Sequence, residues 1–152
     1  MTAPVSTLEG PDQLLGIGAA AGRAGVSERA LRYYEELGIL TPAGRTPGGM
    51  RRYSESDLTR VARIRELQTL LGLNLDEVAV VLRNEDRLAE IKAAYHDTGT
   101  AGAKRQALLR ECLVLQEDLR ATVEVKRAAI EEFLNDLDAR MTRVRDLLSN
   151  EP

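Results

Sequence analysis

The feature that most constrains the fold is the run of residues 103–149, which contains neither glycine nor proline. Apolar residues recur along it in steps of three or four, the spacing of one face of an α-helix. These positions, interrupted at Lys126, are Leu108, Cys112, Leu115, Leu119, Val123, Ile130, Phe133, Leu137, Met141, Val144 and Leu148. One helix cannot bury such a stripe against itself, and the simplest partner is a second copy. The sequence therefore predicts a long dimerisation helix over residues 103–149.

The charges are distributed unevenly along the chain. Residues 15–72 contain nine arginines, no lysine and six acidic residues, which gives this segment a net charge of +3. Residues 73–152 carry a net charge of −4, and the whole chain carries −3. Arginine makes bidentate contacts with phosphate and guanine that lysine cannot make. The basic segment is a candidate nucleic-acid interface, and ordinary surface charge is the alternative.

The chain has a single cysteine, Cys112, and a single histidine, His96. One cysteine cannot form a disulfide within the chain, which is typical of a protein in the reducing cytoplasm. Soft-metal sites need two or more thiolates or imidazoles, so we expect neither a metal site nor a cofactor. Residues 1–13 lack the basic start and apolar run of a signal peptide, and no apolar run reaches the ~18 residues that span a bilayer.

Turn and cap residues divide the chain into four predicted segments. Residues 1–14 read as a flexible tail, and residues 15–72 as a winged helix-turn-helix domain. Residues 73–102 form a connecting helix and loop, and the dimerisation helix follows. The predicted fold class is mainly α, with a small β-hairpin as the wing.

Within the second segment, the local signals predict two short helices. The first lies between Gly16 and Gly25, and the second runs from Ser27, its N-cap, to Leu37. Gly38 ends the second helix. A helix-turn-helix also needs a small apolar core to hold its angle. The residues at inward-facing spacings are Ala20, Ala24, Val26, Leu31 and Tyr34.

The next segment predicts a hairpin and two further helices. Strands are expected over residues 39–41 and 50–53, joined by the turn-rich sequence PAGRTPGG. Ser54 followed by Asp57 is the pattern of a capping box, and the helix that it opens should end at Leu71. Residues 74–77 begin another helix, expected to end near residue 83 or to continue as far as residue 94.

The outer face of the second helix carries a polar stripe. Arg29, Arg32, Tyr33 and Glu36 follow the i, i+3, i+4, i+7 spacing of one helix face. A recognition helix presents such a stripe to the major groove of DNA. Solvated charged stripes are common on helices, so the stripe alone leaves both interpretations open. Ser27, at the start of this helix, is included among the candidate DNA-binding residues.

Basic residues on the hairpin favour DNA binding. Arg45 lies in the loop, and Arg51, Arg52 and Tyr53 lie on the returning strand. A hairpin of this kind directly after a helix-turn-helix can follow the phosphate backbone. Successive strand residues point to opposite faces, so Arg51 and Arg52 cannot both face DNA in the same way.

The sequence ALRYYEELGIL, followed by GGMRRYSESDL and RIRELQTLLGLNLDEVAVVL, resembles the MerR family of bacterial transcription regulators. The resemblance runs from about residue 17 to residue 82, and Met50 stands where many members carry tyrosine. It implies that Arg32 and Tyr33 contact DNA from the recognition helix. It also implies that Arg45, Arg51 and Tyr53 are the wing contacts.

The resemblance further implies an antiparallel coiled-coil homodimer that binds double-stranded promoter DNA, distorts it and works with RNA polymerase. The expected function is a sequence-specific transcriptional regulator. A coiled-coil interaction module whose basic face docks a protein partner is the alternative. An enzyme is not expected, because the sequence shows no catalytic set. A G-x-G-x-x-A match from Gly16 to Ala21 lacks the strand and βαβ unit that a dinucleotide site needs.

Overall fold

The computed structural model describes residues 14–97, 99 and 101–150. Apart from Leu14, the tail predicted for residues 1–14 lies outside this part of the chain. The elements in order are β1 (Leu15–Gly16), α1 (Ile17–Ala24), α2 (Glu28–Glu36), β2 (Gly44–Arg45), β3 (Arg51–Tyr53), α3 (Glu55–Leu71), α4 (Leu75–His96) and α5 (Gly102–Asn150). The chain divides into two compact units, the first ending at Arg83 and the second beginning at Asn84. The predicted fold class, a mainly helical winged helix-turn-helix followed by a long helix, is confirmed.

The predicted ends of the two short helices are present. Gly25 follows α1 in the left-handed conformation, at φ 66°, which glycine adopts without a steric penalty. Two residues later, the Ser27 hydroxyl caps α2 by accepting a hydrogen bond from the Ala30 amide at 3.1 Å. The turn between the two helices is therefore set by local chemistry at these positions.

Helix α3 opens with the predicted capping box. The Asp57 amide donates to the Ser54 hydroxyl at 3.2 Å, and the Ser54 amide donates to Asp57 Oδ2 at 2.7 Å. The same carboxylate oxygen also accepts from the Ala43 amide at 3.0 Å. Asn74 and Glu77 form a similar reciprocal pair before α4. Helix α4 continues to His96, in agreement with the longer of the two predicted extents.

The sheet differs from the predicted hairpin. It has three antiparallel strands in the order β1-β3-β2, and the sequence did not indicate β1. The strand predicted over residues 39–41 is wrong. The amides of Ile39 and Leu40 both donate to the carbonyl oxygen of Tyr34, at 3.0 and 3.2 Å, as the chain turns out of α2. Both side chains are buried, so their apolar character serves the core and not a strand.

The core of the first unit lies between α1, α2, α3 and the start of α4. Its largest fully buried side chains are Tyr53, Leu31, Ile64, Leu82, Val61, Val78 and Val81. Of the five residues predicted to hold the helix-turn-helix angle, Ala20, Leu31 and Tyr34 are buried. Ala24 and Val26 are half-buried. This unit therefore completes an apolar core from its own residues.

In the second unit, the C-terminal part of α4 lies against the first part of α5. Arg87 donates from Nε and Nη2 to the two carboxylate oxygens of Glu111, at 2.6 and 3.0 Å. The Arg105 guanidinium lies over the ring of Tyr95, 4.3 Å from its centre. The ion pair raises the pKa of Arg87 and lowers the pKa of Glu111.

Helix α5 has no buried residue. The apolar stripe is half-buried from Leu108 to Val123, the part that lies beside α4. From Ile130 onward it is mostly exposed, and Ile130 and Phe133 are 61% and 60% accessible. Among the described residues, none of the helices is both long and apolar enough to cross a membrane.

Candidate nucleic-acid interface

Helix α2 is anchored by its apolar face and presents its polar face outward. Leu31 and Tyr34 are buried in the core, at 0% and 6% accessibility. The opposite face therefore exposes Arg29, Arg32 and Tyr33, as the stripe predicted. The Tyr33 side chain is an exposed aromatic group on this face.

Arg32 is held along the helix by an ion pair. Its Nη2 donates to Glu28 Oε2 at 3.1 Å, the i, i+4 spacing of one helix face. Both side chains remain about half exposed, and pairs of this exposure contribute little to stability. The pair orients the guanidinium without burying it, so other groups can still reach Arg32.

The wing is a short hairpin closed by its own backbone. The Thr46 amide donates to the Met50 carbonyl oxygen, and the Gly49 amide donates back to Thr46, both at 2.8 Å. Gly49 has φ 81°, which is the left-handed region that this turn requires. Arg45 also donates to the Gly49 carbonyl oxygen at 3.2 Å. The Met50 side chain is exposed on this hairpin.

Arg45 and Arg51, the two predicted wing arginines, meet at one carboxylate that the sequence interpretation missed. Glu35 of α2 accepts from Arg45 Nη2 at 2.5 Å through one oxygen and from Arg51 Nε through the other. This hydrogen bond is the main cause of the raised pKa of Arg51. Arginines spaced along a hairpin need a counter-charge, but the sequence does not show which of the nearby acids supplies it.

Arg52 follows Arg51 on β3, and the alternation of strand residues predicts that their side chains leave the strand on opposite faces. Arg52 pairs with Gly44 of β2 and Gly16 of β1 in the sheet register. Its Nη1 lies 3.7 Å from the position that a Cβ on Gly16 would occupy. Arg51 and Arg52 nevertheless both line one surface depression with Arg32.

Tyr53 does not lie on the surface, in contrast to the predicted wing contact. Its side chain is 0% accessible, and its hydroxyl has no hydrogen-bond partner among the described residues. Burial raises the pKa of Tyr53, and the nearby Glu35 charge adds to the effect. Tyr53 is consequently a core residue beneath the wing, and it takes no direct part in the exposed surface.

Most of the other candidates line two surface depressions. The first is lined by Ser27, Arg29, Ala30, Arg32, Tyr33 and Glu36. The second is lined by Gly16, Ile17, Arg32, Met50, Arg51 and Arg52. Arg32 lines both. Arg32 therefore connects Arg29 of α2 with Arg51 and Arg52 of the wing.

Three further arginines fix the helix-turn-helix against α3. Arg65 Nη1 donates to the Ala24 carbonyl oxygen at 3.1 Å, where α1 ends. Arg23 forms a two-pronged ion pair with Glu55 at 2.5 and 3.1 Å. Arg60 Nε donates to the Ile39 carbonyl oxygen at 2.9 Å. Part of the positive charge of residues 15–72 therefore belongs to arginines that hold the fold together.

Over residues 14–97, 99 and 101–150, no group of three or more His, Cys, Asp or Glu side chains could hold a metal ion. Cys112 is half-buried on α5, and Gln116 Nε2 lies 3.6 Å from its sulfur. Its position agrees with the predicted apolar stripe.

Comparison with known proteins identifies the first part of the chain. Residues 15–85 match the model of the MerR HTH family regulatory protein. The chain carries a MerR-family helix-turn-helix domain. This match covers α1, α2, the wing and α3, the elements that build the exposed arginine surface.

Relatives of this MerR-type domain are regulators by name. An uncharacterised HTH-type transcriptional regulator of Pseudomonas aeruginosa is 44% identical over 68 residues, which are 45% of this chain and 51% of that protein. The HTH-type transcriptional activator TipA of Streptomyces coelicolor is 43% identical over 77 residues, 51% of this chain and 29% of TipA. The chain thus spans about half or less of the length of these relatives.

The fold is shared more widely. A crystal structure of HiNmlR, a MerR family regulator lacking the sensor domain, bound to promoter DNA, superposes with a TM-score of 0.51. It is 23% identical, and the match covers 91% of this chain and 95% of that one. At this identity the likeness concerns the fold, and it includes the long helix as well as the MerR-type domain.

Proposed function

We propose that this MerR-type protein is a sequence-specific DNA-binding transcriptional regulator. The observation that carries the proposal is the position of Arg32, which joins the exposed face of α2 to the arginines of the wing. An arginine on a helix face can reach guanine in the major groove, while wing arginines can hold the phosphate backbone. The proposed DNA contacts are Ser27, Arg29, Arg32, Tyr33, Arg45, Arg51 and Arg52.

We propose a division of labour along the chain, with residues 15–72 binding DNA and residues 103–149 forming a homodimer. The exposed stripe from Ile130 to Leu148 supports the dimer, because the chain's described residues leave it uncovered. A second copy placed antiparallel would cover it and would carry a second recognition helix. Two recognition helices related by a two-fold axis read a two-fold operator.

The names of the relatives support a role in transcription. TipA is named as a transcriptional activator, and it is 43% identical to this chain over 77 residues. We propose that the dimer binds promoter DNA in the cytoplasm and distorts it, with RNA polymerase as the protein that responds. Distortion carries energy that depends on the sequence being deformed, so it can add specificity at base pairs that the protein does not touch. We assign no catalytic activity to the chain.

Selection from a random duplex library tests the proposal. The full chain is mixed with the library at moderate salt, and bound duplexes are recovered and sequenced over several rounds. The expected result is an inverted repeat whose half-sites match the two-fold dimer. Duplexes with no common sequence would contradict sequence-specific recognition and would favour a basic face that docks a protein.

Salt dependence gives a second check with the selected duplex. Each arginine that contacts phosphate releases counterions, and the affinity falls as salt rises. Arg51→Ala should lower the affinity and reduce the steepness of the salt dependence by about two counterions per dimer. Arg120→Ala, on the exposed surface of α5, is the matched control and should leave the slope unchanged. An affinity that does not vary with salt contradicts the proposed phosphate contacts.

A further inference from the structure

Glu35 occupies an unusual place for an acidic residue, because it lies inside the basic surface. It is on α2, one turn after Arg32, and its side chain is 20% exposed. Its two oxygens are divided between the strands of the wing, one accepting from Arg45 of β2 and the other from Arg51 of β3. A single carboxylate of the recognition helix therefore holds both sides of the hairpin.

The ion pairs with Glu35 use only some of the N–H donors of Arg45 and Arg51. A guanidinium has five N–H donors in a planar fork. Arg51 uses Nε toward Glu35, and its two terminal nitrogens are not engaged by that carboxylate. Arg45 gives Nη2 to Glu35 and Nη1 to the Gly49 carbonyl oxygen, which fixes its plane from two directions. Each arginine can thus stay bound to Glu35 and still donate to a phosphate oxygen.

The charge of Glu35 acts against DNA binding, while its geometry acts in favour of it. A negative charge beside the DNA backbone raises the electrostatic free energy of the complex. Against this, an arginine side chain loses conformational freedom when it meets phosphate, and Glu35 has already restricted two of them in each protomer. Because each Glu35 orders two arginine side chains, we expect the second effect to exceed the first.

Resting on the proposed function, we infer that Glu35 is a positioning residue for DNA binding. It sets the wing arginines relative to the recognition helix, so that base contacts and phosphate contacts are made in one register. Tyr53 lies beneath this arrangement and is fully buried, which gives the carboxylate and its arginines a rigid base. Glu35 itself makes no contact with DNA.

Glu35→Asp tests the inference without changing the charge. Aspartate is one methylene shorter, so its carboxylate is drawn back from both guanidinium groups and should hold them less well in their wild-type positions. We expect the affinity of the full chain for its selected duplex to fall about tenfold or more, with the salt slope kept. The melting temperature should change little, because the arginines are partly exposed. Unchanged affinity would overturn the inference.

Glu35→Gln separates geometry from charge, with Glu66→Gln as its matched control. Glu66 pairs with Arg63 on α3, so its variant removes the same charge from an arginine pair outside the proposed surface. If Glu35 acts only through its negative charge, removing a carboxylate should make both variants bind DNA more tightly. Positioning predicts that Glu35→Gln binds more weakly while Glu66→Gln does not. Tighter binding by Glu35→Gln would identify Glu35 as a competitor of phosphate and contradict the inference.

A double variant connects the effect to the wing. If Glu35 acts through Arg51, the losses from Glu35→Asp and Arg51→Ala should overlap and not add. Additive losses would contradict the positioning role. If the wild-type chain selects no duplex at all, the proposed function fails, and the inference fails with it. If the wild type binds and the Glu35 variants bind as well, only the inference fails.

Discussion

The two units of this protein place their apolar residues in opposite ways. The first unit buries them: Tyr53, Leu31 and Ile64 are fully enclosed, and its accessible face is rich in arginine. Helix α5 of the second unit buries none, and Ile130 and Phe133 face solvent. A unit whose apolar residues are buried in its own core can bind a polar partner through its exposed surface. A helix with an exposed apolar stripe is completed by an apolar partner.

Because of this difference, we expect substitutions in the two units to have different effects. Damage to the outer face of the first unit should remove DNA binding and leave the dimer. Damage to the stripe of α5 should remove the dimer, and weaken DNA binding as a consequence. Five substitutions test this contrast, from the largest expected effect to the smallest.

Arg32→Ala should have the largest effect on DNA affinity. One good guanine contact is worth about 1–3 kcal/mol, and a two-fold dimer makes it twice, so the loss is roughly 2–6 kcal/mol. Fluorescence anisotropy with the selected duplex measures it, and sedimentation should still show a dimer. Arg63→Ala, which removes the same charge from α3, is the control. A folded Arg32→Ala dimer with wild-type affinity would mean that α2 does not read the bases.

Phe133→Glu should convert the dimer to a monomer, because a carboxylate would have to be buried in the apolar seam. Loss of the second recognition helix should then lower operator affinity by about 10²–10⁴-fold. Analytical ultracentrifugation measures the oligomeric state. Asn135→Glu adds the same charge two residues away, which is about 200° around the helix, and should remain dimeric. Two dimeric variants would contradict a seam through Phe133.

Leu31→Ala and Phe133→Ala contrast a closed core with an open stripe. Leu31 is fully buried, so its loss should destabilise the first unit by about 2–5 kcal/mol at any protein concentration. Phe133 is 60% exposed in the single chain, so its truncation should lower the melting temperature most at low concentration, where dimer formation limits stability. Thermal unfolding at several concentrations distinguishes them. A concentration-dependent effect of Leu31→Ala would remove the contrast.

Glu111→Gln should have the smallest effect, because its partner Arg87 and Glu111 itself are exposed. Arg87 lowers the pKa of Glu111 below its ordinary value of 4.5. The pair therefore stabilises the fold fully above that ordinary pKa and loses this contribution as the pH falls through the lowered one. The variant should melt slightly below wild type at neutral pH and together with it in strong acid. Glu117→Gln is the control, and a difference that grows in acid would contradict the pairing.

The sequence indicated most helix boundaries because these depend on local chemistry. Ser27 and Ser54 were identified as N-caps, and Gly25 as the end of α1, from residues within one turn of each boundary. The stripe of α5 was identified from its helical period, which repeats over many residues. The outward face of α2 followed from the helical spacing of its arginines.

The errors lie where contacts beyond a single helical turn, or the packing of the core, decide the outcome. Ile39 and Leu40 have the composition of a strand, but the Tyr34 carbonyl oxygen holds both amides in a turn. Strand β1 has two residues, too few for a periodic signal. Tyr53 was placed on DNA by resemblance, although burial against the core decides its position. The link from Glu35 to the wing joins residues 10 and 16 positions apart, and no local pattern predicts it.

Asp57 links the segment before the wing to the start of α3. Its carboxylate accepts from the Ser54 amide at the helix start and from the Ala43 amide before the wing. Because both amides depend on this one carboxylate, we expect Asp57→Ala to raise the hydrogen-exchange rates of both together. We therefore expect the segment before the wing to open together with the first turn of α3.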